Sequence, residues 1–131
     1  MWKILIVDDS QTDLELMREM LKDVAQTYLA VNGREAVQGY LFALQQNKPF
    51  DLMLLDMVMP DMDGFEVLVR LREMEKKAGV PFGQKLPVIM VSAHEKPFMK
   101  EFNRACDDYE LKPFDPVKLL AKIHSKLNKR G

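Results

Sequence analysis

The sequence lacks the features of secreted, membrane-spanning and nucleic-acid-binding proteins. It contains one cysteine, Cys106, so an internal disulfide is excluded and nothing in its cysteine content indicates an oxidising compartment. Its 19 basic and 20 acidic residues leave a formal net charge of −1, which gives no broad attraction to nucleic acid or membranes. The amino-terminal segment MWKILIVDDS reaches two acids too early for a signal peptide or a membrane span. We therefore expect a cytoplasmic protein that contacts neither nucleic acid nor membranes directly.

The composition of the chain is typical of one globular domain. Its 131 residues are 47% hydrophobic and 30% charged. A chain of this length can bury most of the surface that its unfolded form exposes. We find no internal repeat or low-complexity tract. We expect residues 1–131 to form a single domain, and no output domain is visible in the sequence.

Short apolar runs alternate with amphipathic segments along the whole chain. The runs predict strands at Lys3–Val7, Thr27–Val31, Asp51–Leu55 and Pro87–Val91, and the more polar segment Asp108–Leu111 is a weak fifth strand. Helical spacing predicts helices over residues 12–23, 36–44, 65–77, 97–105 and 116–130. A capping box at Thr12 and Glu15 is expected to begin the first helix. The apolar face of the last helix is predicted to consist of Val117, Leu120, Ile123, His124 and Leu127.

This order of strands and helices predicts the fold class. Five successive βα units indicate an α/β fold with a parallel sheet, right-handed crossovers and helices on both faces. Among the strand orders that the pattern permits, the flavodoxin-like order 2-1-3-4-5 of a doubly wound (βα)5 domain makes strands one and three neighbours. Such folds bind their ligands outside the carboxyl ends of the strands, where the strand order reverses.

Four predicted strands lead directly into polar residues that can take part in chemistry. Asp8 and Asp9 follow the first strand, Asp56 the third, Ser92 the fourth and Lys112 the fifth. Taken singly, the acids and the serine are explained as helix caps and the lysine as a solvated edge residue. Because the carboxyl ends of parallel strands share one edge, their joint placement favours a common site.

An aspartyl-phosphate site accounts for these strand ends together. The clustered carboxylates Asp8, Asp9 and Asp56 repel one another, and a Mg²⁺ ion relieves that repulsion while keeping coordination positions for water and phosphate oxygens. Lys112 supplies a point positive charge, and Ser92 supplies a hydroxyl that can hydrogen-bond to a phosphate oxygen. Aspartate is a known covalent nucleophile for phosphoryl groups.

The same residues lie in segments that resemble a known family. ILIVDDS, DLMLLDMVMPDMDGFE, LPVIMVSA and DDYELKPF are similar, in order and approximate spacing, to the response-regulator receiver (CheY-like) domains of two-component signalling. The resemblance covers essentially the whole chain. The segment Ala78–Leu86 is longer than in many relatives, and Ala105 stands where the family usually has a glycine.

The resemblance implies a role for each site residue. Asp56 matches the phosphoacceptor, and Asp8 and Asp9 match the acidic pair that binds Mg²⁺, with Mn²⁺ as an alternative ion. Asp9, Asp56 and the backbone carbonyl of Val58 match the direct metal ligands. The remaining matches are Ser92 as the switch serine, Tyr109 as the switch aromatic residue and Lys112 as the phosphate-binding lysine. The Lys112–Pro113 bond is expected to be cis.

The leading hypothesis is a phosphorylation-dependent receiver. It would take its phosphoryl group from a histidine kinase or a histidine phosphotransfer protein and signal to a downstream target or output domain through the helix 4–strand 5–helix 5 surface. A phosphorylation-dependent homodimer is a further option. Its only enzymatic activity would be its own phosphorylation and dephosphorylation. Two alternatives remain open: a Mg²⁺-dependent phosphatase with an Asp nucleophile, because DMDG at Asp61–Gly64 resembles a phosphatase motif, and a receiver-like scaffold that is never phosphorylated.

Overall fold

A computed structural model of the protein describes residues 1–95 and 105–130. The strands are β1 Trp2–Val7, β2 Ala25–Ala30, β3 Leu52–Leu55, β4 Val88–Ser92 and β5 Asp108–Leu111. The α-helices in the described residues are α1 Gln11–Leu21, α2 Gly33–Gln45, α3 Gly64–Lys77 and α4 Pro116–Arg130, with a 3-10 helix at Phe82–Gln84. Helix α4 is therefore the fifth helix predicted from the sequence. Apart from Ala105, the helix predicted at residues 97–105 lies outside the described residues.

The strands form one parallel sheet in the order β2-β1-β3-β4-β5, which confirms the flavodoxin-like fold class. Val7, the last residue of β1, pairs with Leu55, the last residue of β3. It also pairs with Ala30, the last residue of β2. Strands β1 and β3 therefore end at the same level, at the point where the strand order reverses and such folds bind ligands.

Hydrophobic layers cover both faces of the sheet. Ile4 and Ile6 of β1 pack with helices α1 and α4, whereas Leu5 and Val7 pack with α2 and α3. Strand β3 is buried at every position, which explains its uninterrupted apolar sequence. Each helix contributes an apolar stripe, with Leu14, Met17 and Leu21 on α1, Ala36, Tyr40 and Ala43 on α2, Val67, Leu68 and Leu71 on α3, and Leu119, Ile123 and Leu127 on α4.

Two local predictions were wrong. Helix α1 begins earlier than expected, because the Ser10 hydroxyl accepts a hydrogen bond from the Asp13 backbone N–H at 3.3 Å and acts as the N-cap in place of the Thr12 capping box. The second wrong prediction concerns which side of α4 faces the sheet. Leu119, Ile123 and Leu127 at four-residue spacing face the sheet, which leaves Val117 76% exposed and His124 on the exposed surface.

The Lys112–Pro113 peptide bond is cis, as the family resemblance implied. Helix α4 begins where expected, with the Asp115 carboxylate accepting a hydrogen bond from the Val117 N–H at 2.9 Å. Among the helices of the described part of the chain, none has both the length and the apolar character that crossing a bilayer requires.

A buried carboxylate ties α3 to the loop that precedes β4. Glu75 is only 1% exposed, and its carboxylate accepts hydrogen bonds from the Leu86 N–H at 2.6 Å and from Arg72 Nη1 at 2.8 Å. Arg72 also donates to the Leu86 carbonyl at 2.8 Å and to the Ala105 carbonyl at 2.6 Å. Together these bonds anchor the loop of residues 78–86 to the helix.

Glu75→Ala is expected to lower the free energy of unfolding by about 3 kcal/mol. The substitution leaves the buried Leu86 N–H without its acceptor and removes a carboxylate that pairs with the Arg72 guanidinium. Glu73 lies on the exposed side of the same helix, so Glu73→Ala should change stability by no more than about 0.5 kcal/mol. Urea unfolding of the two variants measures the difference. Equal midpoints would show that the buried carboxylate does not anchor the loop.

Candidate functional site

The polar strand ends meet at one edge of the sheet. Asp8 directly follows β1, Asp56 follows β3, Ser92 is the last residue of β4 and Lys112 follows β5. Asp8 and Ser92 are 0% exposed and Asp56 is 6% exposed, so these polar groups lie below the surface of the crevice. The sheet order thus brings together the residues that the sequence pattern grouped.

The backbone fixes the positions of these residues. Hydrogen bonds continue past the strand ends, from the Asp8 N–H to the Ala30 carbonyl at 3.1 Å and from the Asp56 N–H to the Val7 carbonyl at 2.9 Å. Across the sheet, the Lys112 N–H donates to the carbonyl of Ser92 at 2.8 Å. The side chains are therefore mounted on rigid strands rather than on mobile loops.

Three carboxylates and one ammonium group form the centre of the site. Asp8, Asp9 and Asp56 each offer an oxygen within 4.8 Å of the others. The Lys112 ammonium lies 2.6 Å from Asp8 Oδ2 and 3.8 Å from Asp56 Oδ2. It also lies 2.8 Å from Asp13 Oδ2. We call Asp8, Asp9 and Asp56 the acidic cluster.

Burial and like charge both act on Asp56. Burial, followed by the negative charge of Asp8, raises the pKa of Asp56 to about 6, although Lys112 and a hydrogen bond from the Val58 N–H oppose the increase. Burial also disfavours the charged form of Lys112, but its hydrogen bonds to Asp13 and Asp8 outweigh that effect and raise its pKa. The acidic cluster thus holds more negative charge than one lysine neutralises.

The donor set of the acidic cluster suits a hard divalent cation. It offers carboxylate oxygens, which Mg²⁺ and Mn²⁺ prefer, at a mutual distance that one ion can span. Both oxygens of Asp8 already have partners, since Oδ1 accepts from the Ser10 N–H at 2.9 Å and Oδ2 accepts from Lys112. Asp9 is the exposed member of the cluster, so its carboxylate is more accessible to an ion than that of Asp8.

Ser92 and Tyr109 lie together beside the acidic cluster. The Ser92 hydroxyl accepts a hydrogen bond from the His94 N–H at 3.3 Å, and the Tyr109 hydroxyl donates to the His94 carbonyl. Burial raises the pKa of Tyr109, although a hydrogen bond with the Ser92 side chain partly opposes the increase. The serine and the tyrosine are thus joined through the short segment that follows β4.

Asp13 belongs to the site, although the sequence analysis did not include it. It lies in the first turn of α1 and holds the Lys112 ammonium at 2.8 Å. The misplaced helix start concealed this role, because a helix that begins after Ser10 points its third residue toward the carboxyl edge of the sheet. Recognising Ser10 as the N-cap would have revealed it.

The DMDG segment has structural roles. Both Asp61 carboxylate oxygens accept hydrogen bonds at the start of α2, from the Gly33 N–H at 3.0 Å and the Arg34 N–H at 2.9 Å. Asp63 is the N-cap of α3 and accepts from the Glu66 N–H at 2.8 Å. Neither acid belongs to the acidic cluster, so this segment offers no support for the phosphatase alternative.

Gly64 permits the close approach of α3 to the site. Its N–H donates to the Met57 carbonyl at 2.6 Å, and a β-carbon at this position would lie 2.5 Å from the Asp56 carbonyl oxygen. No side chain can be accommodated there unless the backbone of Asp56 moves.

Gly64→Ala is expected to lower the free energy of unfolding by about 2–3 kcal/mol, because the added methyl group overlaps the Asp56 backbone. Gly39 provides the matched control, since a β-carbon there meets nothing within 4 Å. Gly39→Ala should instead raise stability by about 0.5–1 kcal/mol through helix propensity. Urea unfolding compares the two. If both variants were stabilised, the contact with Asp56 would not be restrictive.

The fold and the acidic cluster define a doubly wound α/β domain with a carboxylate site at its switch point. The family model of the response regulator receiver domain matches residues 4–124, and the chain belongs to that family. It is 37% identical over 123 residues to an uncharacterized 14.6 kDa protein of Leptolyngbya boryana, covering 92% of this chain and 86% of that protein. It is 34% identical over 125 residues to the probable transcriptional regulator ycf29 of Porphyra purpurea, covering 93% of this chain and 54% of that protein. The chain therefore spans about half the length of the latter relative.

Solved structures show the same architecture. The chemotaxis protein CheY4 of Vibrio cholerae superimposes with a TM-score of 0.77 at 30% identity, over 97% of this chain and 99% of that chain. A chain of the CheX–CheY–BeF3–Mg²⁺ complex of Borrelia burgdorferi gives a TM-score of 0.77 at 27% identity, over 95% of this chain and 87% of that chain. The fold and family predicted from the sequence are both confirmed.

Proposed function

We propose that the protein is a phosphorylation-dependent response-regulator receiver that accepts a phosphoryl group on Asp56, and that residues 1–131 form this single domain. The observation that carries the proposal is the geometry of Asp56, a buried carboxylate with Asp8 and Asp9 oxygens within 4.8 Å and the Lys112 ammonium at 3.8 Å. A nucleophile, an acidic metal site and a counter-charge are the parts that phosphoryl transfer requires.

In the proposed reaction an Asp56 carboxylate oxygen attacks the phosphorus of the donor in line. A bond forms between that oxygen and phosphorus, and the bond from phosphorus to the donor atom breaks. The donor leaves with the electron pair, as acetate from acetyl phosphate or as imidazole from a phosphohistidine. Lys112 is placed to offset charge on the phosphoryl oxygens, and the rigid strand ends keep Asp56 oriented.

Asp9, Asp56 and the Val58 carbonyl are the proposed ligands of a Mg²⁺ or Mn²⁺ ion, with Asp8 supplying further negative charge. When bound, the ion supplies positive charge that offsets the charge of the phosphoryl oxygens. The Borrelia burgdorferi complex, which contains Mg²⁺ and BeF3, supports the transfer of this role to the similar fold.

Ser92 and Tyr109 are the proposed switch. Ser92 ends β4 beside the site, and binding of its hydroxyl to a phosphoryl oxygen would draw the segment that follows it inward. Tyr109 donates to the His94 carbonyl in that segment, so its ring would have to respond. We infer that the surface of α4, β5 and the helix predicted at residues 97–105 carries the signal. Unchanged amide chemical shifts on α4 and β5 upon BeF3 binding would contradict this coupling.

The proposed partners follow from the family. A histidine kinase or a histidine phosphotransfer protein in the cytoplasm would donate the phosphoryl group, and a separate protein or an output domain would receive the signal. The Vibrio cholerae relative is a chemotaxis protein and the Porphyra purpurea relative a probable transcriptional regulator, so the downstream target differs between similar proteins.

The proposal is tested by incubating the protein with Mg²⁺ and acetyl phosphate and measuring its intact mass. One phosphoryl adduct is expected, which should be absent in EDTA and removed by hydroxylamine. No adduct with acetyl phosphate, other small donors or a histidine kinase would contradict the proposal. Steady turnover of a small phosphate ester would favour the phosphatase alternative, and failure to bind Mg²⁺ would favour the scaffold.

A further inference from the structure

A second cleft lies at the opposite end of the strands from the acidic cluster. It has a volume of about 480 Å³, and its walls come from the loop that contains the 3-10 helix and from the last turns of α4. Pro87 in its wall directly precedes β4, whereas Ser92, at the other end of that strand, lies at the acidic edge. We call this cleft the basal pocket.

The basal pocket is rich in positive charge. The side chains that line it include Arg72, Lys85, Lys126 and Lys129, against a single lining carboxylate, Asp107, in the described part of the chain. A cleft of like charges with low-dielectric walls focuses their field and attracts ions of the opposite sign. The pocket is therefore suited to an anion.

The side chains of Arg72 and Asp107 are part of the pocket wall, where both already form hydrogen bonds within the protein. The guanidinium of Arg72 donates to the Ala105 carbonyl at 2.6 and 3.1 Å and to the Leu86 carbonyl at 2.8 Å, and its Nη2 lies 3.3 Å from Asp107 Oδ2. The same carboxylate oxygen of Asp107 accepts from the Val88 N–H at 2.7 Å. The one lining carboxylate among the described residues is therefore paired with Arg72 and with the backbone of β4.

The lysines line the pocket from two walls. Lys126 and Lys129 are three residues apart on α4, and within residues 1–95 and 105–129 neither forms an ion pair. Lys85 comes from the facing loop, with its ammonium 4.8 Å from the centre of the Phe82 ring. A ligand with two or more negative charges suits a pocket that lysines line from two sides.

An exposed aromatic ring completes the pocket. Phe82 lies in the 3-10 helix and is 86% exposed, an unusual position for a large apolar side chain. Aromatic rings exposed next to cationic side chains are the platforms on which proteins stack nucleobases. The loop that carries Phe82 is held in place by Glu75 and Arg72, so the ring is presented by an anchored segment.

We propose that the basal pocket binds a nucleotide, with its phosphates among Lys85, Lys126 and Lys129 and its base stacked on Phe82. The volume of the pocket lies within the range of about 300–1,000 Å³ that small-molecule sites occupy. An acidic protein segment would need the lysines but neither the concave shape nor the aromatic platform, so a nucleotide accounts for more of the site. This site is separate from Asp56 and does not depend on phosphorylation.

The test is calorimetric titration of the protein with ATP in EDTA, so that no divalent ion takes part. Saturable binding of one ATP is expected, with weaker binding of pyrophosphate, which lacks the base, and of adenosine, which lacks the phosphates. A double Lys126→Gln, Lys129→Gln variant should bind ATP at least about tenfold more weakly. Phe82→Ala should lose about tenfold for ATP and keep its affinity for pyrophosphate.

Two variants serve as controls. Lys118 is an exposed lysine of α4 outside the pocket, and Asp56 lies at the other end of the sheet. Lys118→Gln and Asp56→Asn should bind ATP as the unmodified protein does. The proposal is overturned if ATP does not saturate the protein, if the double variant binds it equally, or if Asp56→Asn abolishes binding. Tighter, lysine-dependent binding of polyglutamate would overturn it in favour of an acidic protein segment.

Discussion

Asp56→Asn is expected to abolish phosphorylation completely while the fold survives. Asparagine keeps the shape of the side chain but lacks the anionic oxygen that attacks phosphorus, so no adduct should form with Mg²⁺ and acetyl phosphate. The circular dichroism spectrum should be unchanged. Asp23→Asn, which alters an exposed carboxylate outside the acidic cluster, should be labelled as the unmodified protein is.

The same Asp56→Asn variant is expected to be more stable without divalent ions, by about 1–2 kcal/mol at neutral pH. Burial and Asp8 raise the pKa of Asp56 from 3.8 to about 6, so ionisation of this carboxyl costs more in the folded protein than in the unfolded chain. That cost is absent below pH 3.8, grows as the pH rises and is complete above about 6. The stabilisation by Asp56→Asn should therefore vanish in acid. A variant that is labelled, or that is less stable at neutral pH, would contradict this account of Asp56.

Lys112→Met is expected to lower the free energy of unfolding by about 3 kcal/mol in the absence of metal. Asp8 is 0% exposed and would lose the ammonium that lies 2.6 Å from its carboxylate. Methionine keeps most of the side-chain volume, so the effect reports on charge rather than on a cavity. Thermal unfolding in EDTA measures it, with Lys118→Met on the exposed surface of α4 as the control.

The Lys112→Met variant should also bind Mg²⁺ more tightly, by about tenfold or more, because a positive charge near the acidic cluster has been removed. Saturating Mg²⁺ should then restore much of the lost stability by mass action. Labelling of Asp56 should remain measurable but should no longer shift the amide resonances of β5, since the phosphoryl group has lost its contact with that strand. Unchanged stability together with unchanged Mg²⁺ affinity would show that Lys112 does not neutralise the cluster.

The sheet and the strand-end residues could be predicted because short stretches of sequence are enough to identify each strand and the residue that follows it. The buried strands β1 and β3 are short apolar runs that Asp8 and Asp56 follow directly, whereas Lys112 follows the more polar strand β5. Once the strands are known to be parallel, their carboxyl ends must lie at one edge, and only the order of the strands remains to be determined.

The rest of the site depends on contacts between distant segments. Glu75 has the polarity of an exposed helical residue, and its burial follows from the Leu86 N–H, eleven residues away in a loop. Asp61 could not be recognised as a partner of Gly33 and Arg34, because the contact joins segments 28 and 27 residues apart. In α4 the apolar residues overlap on two helical faces, and only packing against the sheet decides between them.

The central claim, that Asp56 is the phosphoacceptor, is tested most directly by locating the acyl phosphate. Protein labelled with acetyl phosphate and Mg²⁺ is treated with borohydride, which reduces an aspartyl phosphate to homoserine, and is then digested for peptide mass spectrometry. The account predicts homoserine at position 56 alone, and only in the sample that received both the donor and Mg²⁺. Reduction at Asp8 or Asp9, or a stable phosphate on Ser92 with Asp56 unmodified, would contradict it.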